Sequence, residues 1–247
     1  MQKVGIVIPC YNEAERLSEK FFMNFLDTNG FVNLCFVNDG SNDGTLNILQ
    51  GIQAKNADRI FVIDQKKNVG KAEAVRKGIM YMLSQRQYNF VGYFDADLST
   101  PLREIEYFFL FQKFKPECLV MLGSRVKRMG TRIERRGYRH YIGRIFSTMA
   151  SMILKMPVYD TQCGAKIFET ELAREIFHVP FISSWLFDLE LLARISEKKG
   201  LNEAKKIILE IPLNEWTHKS GSKIKPFDIV KICIDLTRIS WYYRNKY

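Results

Sequence analysis

The 247-residue chain has no stretch of about 18 to 20 uninterrupted apolar residues, the length a helix needs to cross a bilayer. Its first apolar run, VGIVIP, is too short for the core of a secretory signal. The chain is therefore expected neither to span a membrane nor to be exported. Cysteine is scarce: Cys10, Cys35, Cys118, Cys163 and Cys233 form an odd set without a CxxC pair, which argues against a disulfide framework and against a zinc knuckle. They are expected to be reduced, mostly buried and cytosolic. His140, His178 and His218 lack metal-ligand spacing and read as structural, with His218 set apart only by its nearness to SGSK. No repeat, low-complexity tract or flexible linker is present, so one domain over 1–247 is the simplest organisation, large enough to bury a sizeable core.

What the chain does have is an uneven excess of positive charge. The formal net charge of +10 resembles a nucleic-acid signature, but its distribution does not. Residues 125–144, RVKRMGTRIERRGYRHYIGR, hold eight Arg or Lys against one Glu. A patch so local calls for a local partner, and nucleic acid is the least favoured one.

Short apolar runs alternate with helical patterns through the first half, the order of an α/β fold with a mostly parallel sheet flanked by helices. Strands are predicted at 4–9, 34–38, 59–63, 90–94 and 118–123. Leu17, Phe21 and Phe25 are placed on one face of a first helix with Asn12 as N-cap and Glu15 at the capping-box position. Val75, Ile79 and Met82 share a face of another. Pro101 suits the first turn of a helix reaching 113. After residue 124, Ile142, Ile145, Phe146, Met149, Met152 and Ile153 keep helical spacing behind the basic lead-in, an amphipathic segment that either lies in a membrane interface or packs on the core. Two more helices are expected through 199, and a surface helix over IVKICIDLTRISWYYRNKY.

In such sheets the strand-to-helix turns gather at the carboxyl ends of the strands, where ligands bind. Four polar clusters fall there: YNE, NDGSNDGT, KNVGK and DAD. If strand geometry persists through DAD, Asp95 and Asp97 point the same way, and two converging carboxylates repel unless a cation or proton attends them. Hard oxygen ligands suit Mg²⁺ or Mn²⁺, which take their remaining ligands from water and phosphate. Taken alone, DxD is more often a solvated turn. Asp39 can accept hydrogen bonds from a base or ribose, or simply belong to a turn. Tyr11 can stack and Glu13 can hydrogen-bond, or Glu13 can favour a helix N-terminus. Four such clusters at four successive strand ends are hard to attribute to turns alone.

The order IPCYNEAERL, VNDGSNDGT, KNVGKAEAVRKG, DADLSTP, GSR, DTQCGAKIF, WLFDLELL, SGSK resembles family 2 glycosyltransferases of the GT-A fold. Within them it is most similar to the polyprenyl-phosphate glycosyltransferases, the dolichyl-phosphate β-glucosyltransferases in particular, over residues 4 to about 227. The resemblance implies a nucleotide-sugar-binding half, 1–124, and an acceptor- and membrane-facing half, 125–247. Pro9, Tyr11, Glu13 and Asp39 would hold the nucleoside, Asp95 would face the ribose or diphosphate, and Asp97 would ligate the metal with Asp95 beside it. Lys71, Arg125 and Lys223 would be cations around the diphosphate, sugar or acceptor phosphate. Asp160 and Asp188 are candidate polar partners of the sugar or acceptor, with Asp160 the choice if a general base exists. Mannosyl members carry Gln two residues past the second Asp, where Ser99 stands here, so a UDP-hexose, UDP-glucose, is expected. The implied reaction is an inverting, metal-dependent transfer of a hexose to a polyprenyl phosphate. Arg132, Arg135, Arg136 and Arg139 would meet an anionic membrane at its cytoplasmic face, with the protein peripheral there and a separate membrane-anchor subunit compatible with the lack of a span. The alternatives are a transferase acting on a glycan, protein or other soluble acceptor, and, more distantly, a nucleic-acid-binding protein.

Overall fold

The computed structural model describes residues 2–134, 137–219, 226–244 and 246. In chain order the elements are β1 (Val4–Cys10), α1 (Glu19–Thr28), β2 (Val32–Asp39), α2 (Thr45–Lys55), β3 (Ile60–Gln65), α3 (Lys71–Ser84), β4 (Phe90–Phe94), α4 (Glu104–Phe114) and β5 (Val120–Ser124). They continue with β6 (Arg132–Glu134), α5 (Gly137–Leu154), β7 (Ala165–Glu169), α6 (Thr170–Phe177), α7 (Phe187–Lys199), α8 (Leu201–Ile207), β8 (Ile208–Pro212), β9 (Glu215–Thr217) and α9 (Pro226–Tyr243).

Two compact units divide the chain: Met1–Leu98 with Gly164–Pro180, and Ser99–Cys163 with Phe181–Tyr247. The first is a sheet in the order β3-β2-β1-β4-β7. Its first four strands run parallel, with Val4 opposite Val32 and Phe90, and Leu34 opposite Ile60. β7 returns antiparallel along β4, pairing Phe94 with Ala165. The four parallel strands are apolar because helices cover such sheets on both faces. Val75, Ile79 and Met82 of α3 are fully buried, as their spacing predicts. Gly78 lets α3 press on the sheet: a Cβ there would lie 2.4 Å from Val7 Cγ1 and 2.9 Å from Val37 Cγ2, closer than packed atoms tolerate.

The first helix differs from its sequence reading. Asn12 is in the left-handed region at φ 53° and its side chain accepts from the Asn42 amide instead of capping a helix. The helix begins at Glu19 with Ser18 as its cap, the Ser18 hydroxyl accepting from Phe21 N–H. Phe22, Phe25 and Leu26 face inward while Phe21 is exposed. An Asn followed three residues later by Glu is a capping-box pattern, but here a tertiary bond satisfies the Asn.

The second unit pairs β5 with β8 and β6 with β9, both parallel. β6, α8, β8 and β9 are additions to the elements read from sequence. On α5 the inward face is Ser147, Ala150 and Leu154, whereas Met149 and Met152 are exposed; the side chains of Ile142 and Ile145 lie outside the described residues. α7 is buried from Phe187 through Ser196, so its polar groups must be satisfied internally. Glu190 pairs with Arg194 at 2.7 Å and accepts from Ile182 N–H at 2.8 Å. Ser183 donates to Asp235 of α9 at 2.6 Å. Among the described residues no helix is long and apolar enough to cross a membrane. The five cysteines are free thiols, four of them buried and Cys233 exposed.

Candidate functional site

In the first unit, β1 and β2 end side by side, Cys10 opposite Asn38, and the loops that leave them interlock. Ser41 accepts from Asn12 N–H, Thr45 from Glu13 N–H at 2.9 Å, and Asp43 from Ala14 N–H. Serine, threonine, asparagine and aspartate suit such loops because their side chains bond nearby backbone groups. The result fixes Tyr11 and Glu13 at the strand ends. Burial pushes the Glu13 carboxyl above its usual range, Arg16 at 3.1 Å pulls it down, and the negative charge of Asp97 adds to the upward push.

Asp39 is buried at the end of β2. One of its oxygens accepts from Val69 N–H and the other from Gly70 N–H, each at 2.9 Å, and Gln65 donates to the first at 3.2 Å. Gly40, at φ 66°, has the backbone of residues 67 and 68 where a Cβ would stand. Thus Asp39 fastens the KNVGK loop across the ends of β2 and β3 while still lining the cleft. That fastening sets Gly70 and the start of α3, hence the position of Lys71.

β4 stops at Phe94, and strand geometry does not continue through DAD: Ala96 and Asp97 form a turn closed by Leu98 N–H donating to Asp95 C=O. Asp95 is nonetheless tightly placed. Its N–H donates to Gly164 C=O at 3.0 Å, and a Cβ on Gly164 would lie 1.9 Å from its Oδ2. Lys71 Nζ meets Asp95 Oδ1 at 2.5 Å. Pro9, Tyr11, Glu13, Asp39, Lys71, Asp95 and Asp97 therefore come together around one cleft of about 380 Å³, a size suited to a small organic ligand. Gly164, in the DTQCGAK turn, is the residue of this site that sequence reasoning missed.

Among the described residues no three His, Cys, Asp or Glu side chains gather as a ready metal site. The donor set fits a hard divalent ion that uses one or two carboxylates and draws its other ligands from phosphate and water. Asp97 and Asp95 are the residues that would hold it.

The other residues singled out from sequence belong to the second unit. Asp160, buried, accepts from Arg125 Nε at 2.6 Å, Nη2 at 2.7 Å and backbone N–H at 3.1 Å. The Arg125 guanidinium stands 5.4 Å from the centre of the Trp216 ring. Glu210 of β8 accepts from the amides of Tyr159 and Asp160 at 2.8 and 2.6 Å; burial raises its carboxyl, and these two bonds pull it back. A carboxylate committed to a bidentate guanidinium and a backbone amide is arranged to position that arginine rather than to collect a proton. Removing the cation while leaving the carboxylate buried is costly, so Arg125→Ala is expected to lower unfolding free energy by about 3 kcal/mol. A urea titration showing a change under about 1 kcal/mol would contradict this account of the pair. Asp188 is buried in the first turn of α7. Arg132 is exposed on β6; Arg135, Arg136, Lys223 and the Arg139 side chain lie outside the described residues.

The family description "Glycosyl transferase family 2" matches residues 5–177. A dolichyl-phosphate beta-glucosyltransferase of Trichomonas vaginalis is 30% identical over 96% of this chain and 71% of its own length. One of Drosophila melanogaster is 30% identical over 91% and 70%. Among solved structures, glucosyl-3-phosphoglycerate synthase of Mycobacterium tuberculosis, in complex with Mn²⁺, UDP and glucosyl-3-phosphoglycerate, superposes with a TM-score of 0.64 at 17% identity, covering 96% of this chain and 77% of that one. That likeness carries the fold, which is GT-A. With a cleft at the carboxyl ends of its parallel strands and a family match over most of its length, the chain belongs to glycosyl transferase family 2 and is a glycosyltransferase.

Proposed function

We propose that the protein transfers glucose from UDP-glucose to dolichyl or a related polyprenyl phosphate, in one inverting, metal-dependent displacement. The observation that carries this reading is the cleft of the first unit, where a lysine, three aspartates and a glutamate meet an aromatic ring at the strand ends. Its support in the acceptor is the name shared by the relatives, dolichyl-phosphate beta-glucosyltransferase. Its support in the donor and metal is the UDP and Mn²⁺ of the solved glucosyl-3-phosphoglycerate synthase, and Mg²⁺ with UDP in another structure of that enzyme.

In this reading Pro9, Tyr11, Glu13 and Asp39 hold the nucleoside, Tyr11 by stacking and Asp39 by fixing the loop at 68–70. When bound, the divalent ion supplies Lewis-acid neutralisation of the departing diphosphate. Asp97 and Asp95 would hold that ion, and Lys71 adds a positive charge where negative charge develops. The uncapped start of α3, with Gly70 before it and no side-chain cap, leaves backbone N–H groups for the same phosphates. An acceptor phosphate is already anionic near neutral pH, so in-line placement matters more than a strong base. Arg125, oriented by Asp160, and Lys223 serve the acceptor phosphate or the sugar, and Asp188 serves the sugar hydroxyls. The basic segment with Arg132, Arg135, Arg136 and Arg139, followed in sequence by Met149 and Met152, both exposed, meets the anionic cytoplasmic face of the acceptor's membrane, each cation contributing about 1 kcal/mol near the surface.

The test is incubation with a panel of UDP- and GDP-sugars, Mn²⁺ or Mg²⁺ and a short polyprenyl phosphate, with products identified by mass. A glucosyl phospholipid formed from UDP-glucose is the expected result. Transfer only to a water-soluble acceptor would overturn the lipid assignment, and absence of sedimentation with phosphatidylserine vesicles would overturn the membrane contact.

A further inference from the structure

We propose that Lys71 is a built-in counter-ion for the metal position: it occupies the Asp95 carboxylate until a donor diphosphate draws it away, so that metal is taken up with the nucleotide rather than before it. This rests on the donor and metal reading above. Three observations carry it. Lys71 Nζ already sits 2.5 Å from Asp95 Oδ1, with side chains 40% and 33% exposed, so the pair is formed yet the lysine has room to swing. The Asp95 main chain is the anchored partner, because its N–H donates to Gly164 C=O and its carboxylate fills the space a Cβ on Gly164 would need. And Lys71 opens helix α3, where the helix dipole disfavours a cation. That placement is paired on the protein side by Asp95 and suits a ligand side rich in phosphate oxygens.

A monovalent ammonium at contact distance from Asp95 opposes a divalent ion at the same carboxylate, both by occupying it and by like-charge repulsion. A diphosphate that pairs with Lys71 removes that opposition, and by linkage the metal must favour the diphosphate to the same degree. Lys71 therefore weakens metal binding alone and strengthens nucleotide binding alone.

The experiment measures free Mn²⁺ by electron paramagnetic resonance in titrations of the whole chain, with and without saturating UDP, for the native protein, Lys71→Met and Lys71→Arg. UDP binding without metal is followed by calorimetry. Lys71→Met is expected to bind Mn²⁺ about tenfold more tightly than native without UDP, to gain less Mn²⁺ affinity than native when UDP is added, and to bind metal-free UDP about tenfold more weakly. Lys71→Arg is expected to behave as native. A merely structural lysine would lower both affinities. Equal or weaker Mn²⁺ binding by Lys71→Met, with UDP-dependent Mn²⁺ uptake intact in the native protein, overturns the counter-ion role and leaves the proposed function standing. No Mn²⁺ uptake by the native protein in either condition overturns both.

Discussion

Asp97→Asn is expected to slow sugar transfer by at least about a hundredfold while leaving the unfolding transition within about 0.5 kcal/mol of native. The two residues of DAD differ in their surroundings. Asp95 is held by Lys71 and by the Gly164 backbone, whereas Asp97 sits in a two-residue turn whose closing bond runs between the main chains of Leu98 and Asp95. The turn does not need the Asp97 charge. The cleft feels that charge, because Asp97 helps push the half-buried Glu13 carboxyl upward. Negative potential concentrated there suits a divalent ion carrying phosphate. Asparagine keeps the volume and one acceptor oxygen but loses the charge, and a hundredfold is about 2.7 kcal/mol of transition-state stabilisation. Turnover with UDP-glucose and thermal unfolding of the same preparation check the two halves. Normal turnover would remove Asp97 from the metal site.

The parallel half of the fold was legible because its strands are buried on both faces and so read as unbroken apolar runs. FVGYF is β4 to the residue, and the Val75, Ile79, Met82 stripe is the buried face of α3. Polar clusters at four strand ends located the cleft for the same reason: nothing in a buried strand ends that way by need. What escaped was tertiary. Asn12 satisfied a local capping pattern yet bonds Asn42, thirty residues on. The antiparallel β7 is five residues long and shows no alternation, since Ala165, Ile167 and Phe168 are buried together with Lys166. Arg125 and Asp160 could each be named, but not that they grip one another across 35 residues, nor that Glu210 and Trp216 flank them. Asp39 was legible as a polar residue at a strand end, where it lines the cleft; that its two oxygens fasten the KNVGK loop was not, because the partners are backbone amides, which carry no sequence signal.

Gly164→Ala carries the second large expectation, and it tests whether Asp95 must stand where it does. Within a turn rich in Asp, Thr and Gln, a glycine ordinarily supplies only conformational freedom. Here its φ is not in the left-handed region, and what excludes a side chain is contact: the added carbon would lie 1.9 Å from Asp95 Oδ2, 2.2 Å from Cγ and 2.5 Å from Oδ1. The backbones cannot easily part, because Asp95 N–H donates to Gly164 C=O just beyond the Phe94–Ala165 pair of β4 and β7. The carboxylate must therefore swing, breaking the Lys71 contact and leaving Asp97 as the one carboxylate of DAD in place. Transfer is expected to fall at least about a hundredfold, and stability by about 1 to 3 kcal/mol from overpacking. The double variant Gly164→Ala with Asp95→Ala separates the two consequences. Removing the carboxylate relieves the clash, so unfolding free energy should recover by about 1 kcal/mol or more relative to Gly164→Ala alone, a coupling expected of residues in contact, while transfer stays lost. Retention of transfer within threefold in Gly164→Ala would mean that the Asp95 carboxylate has no fixed place in the reaction.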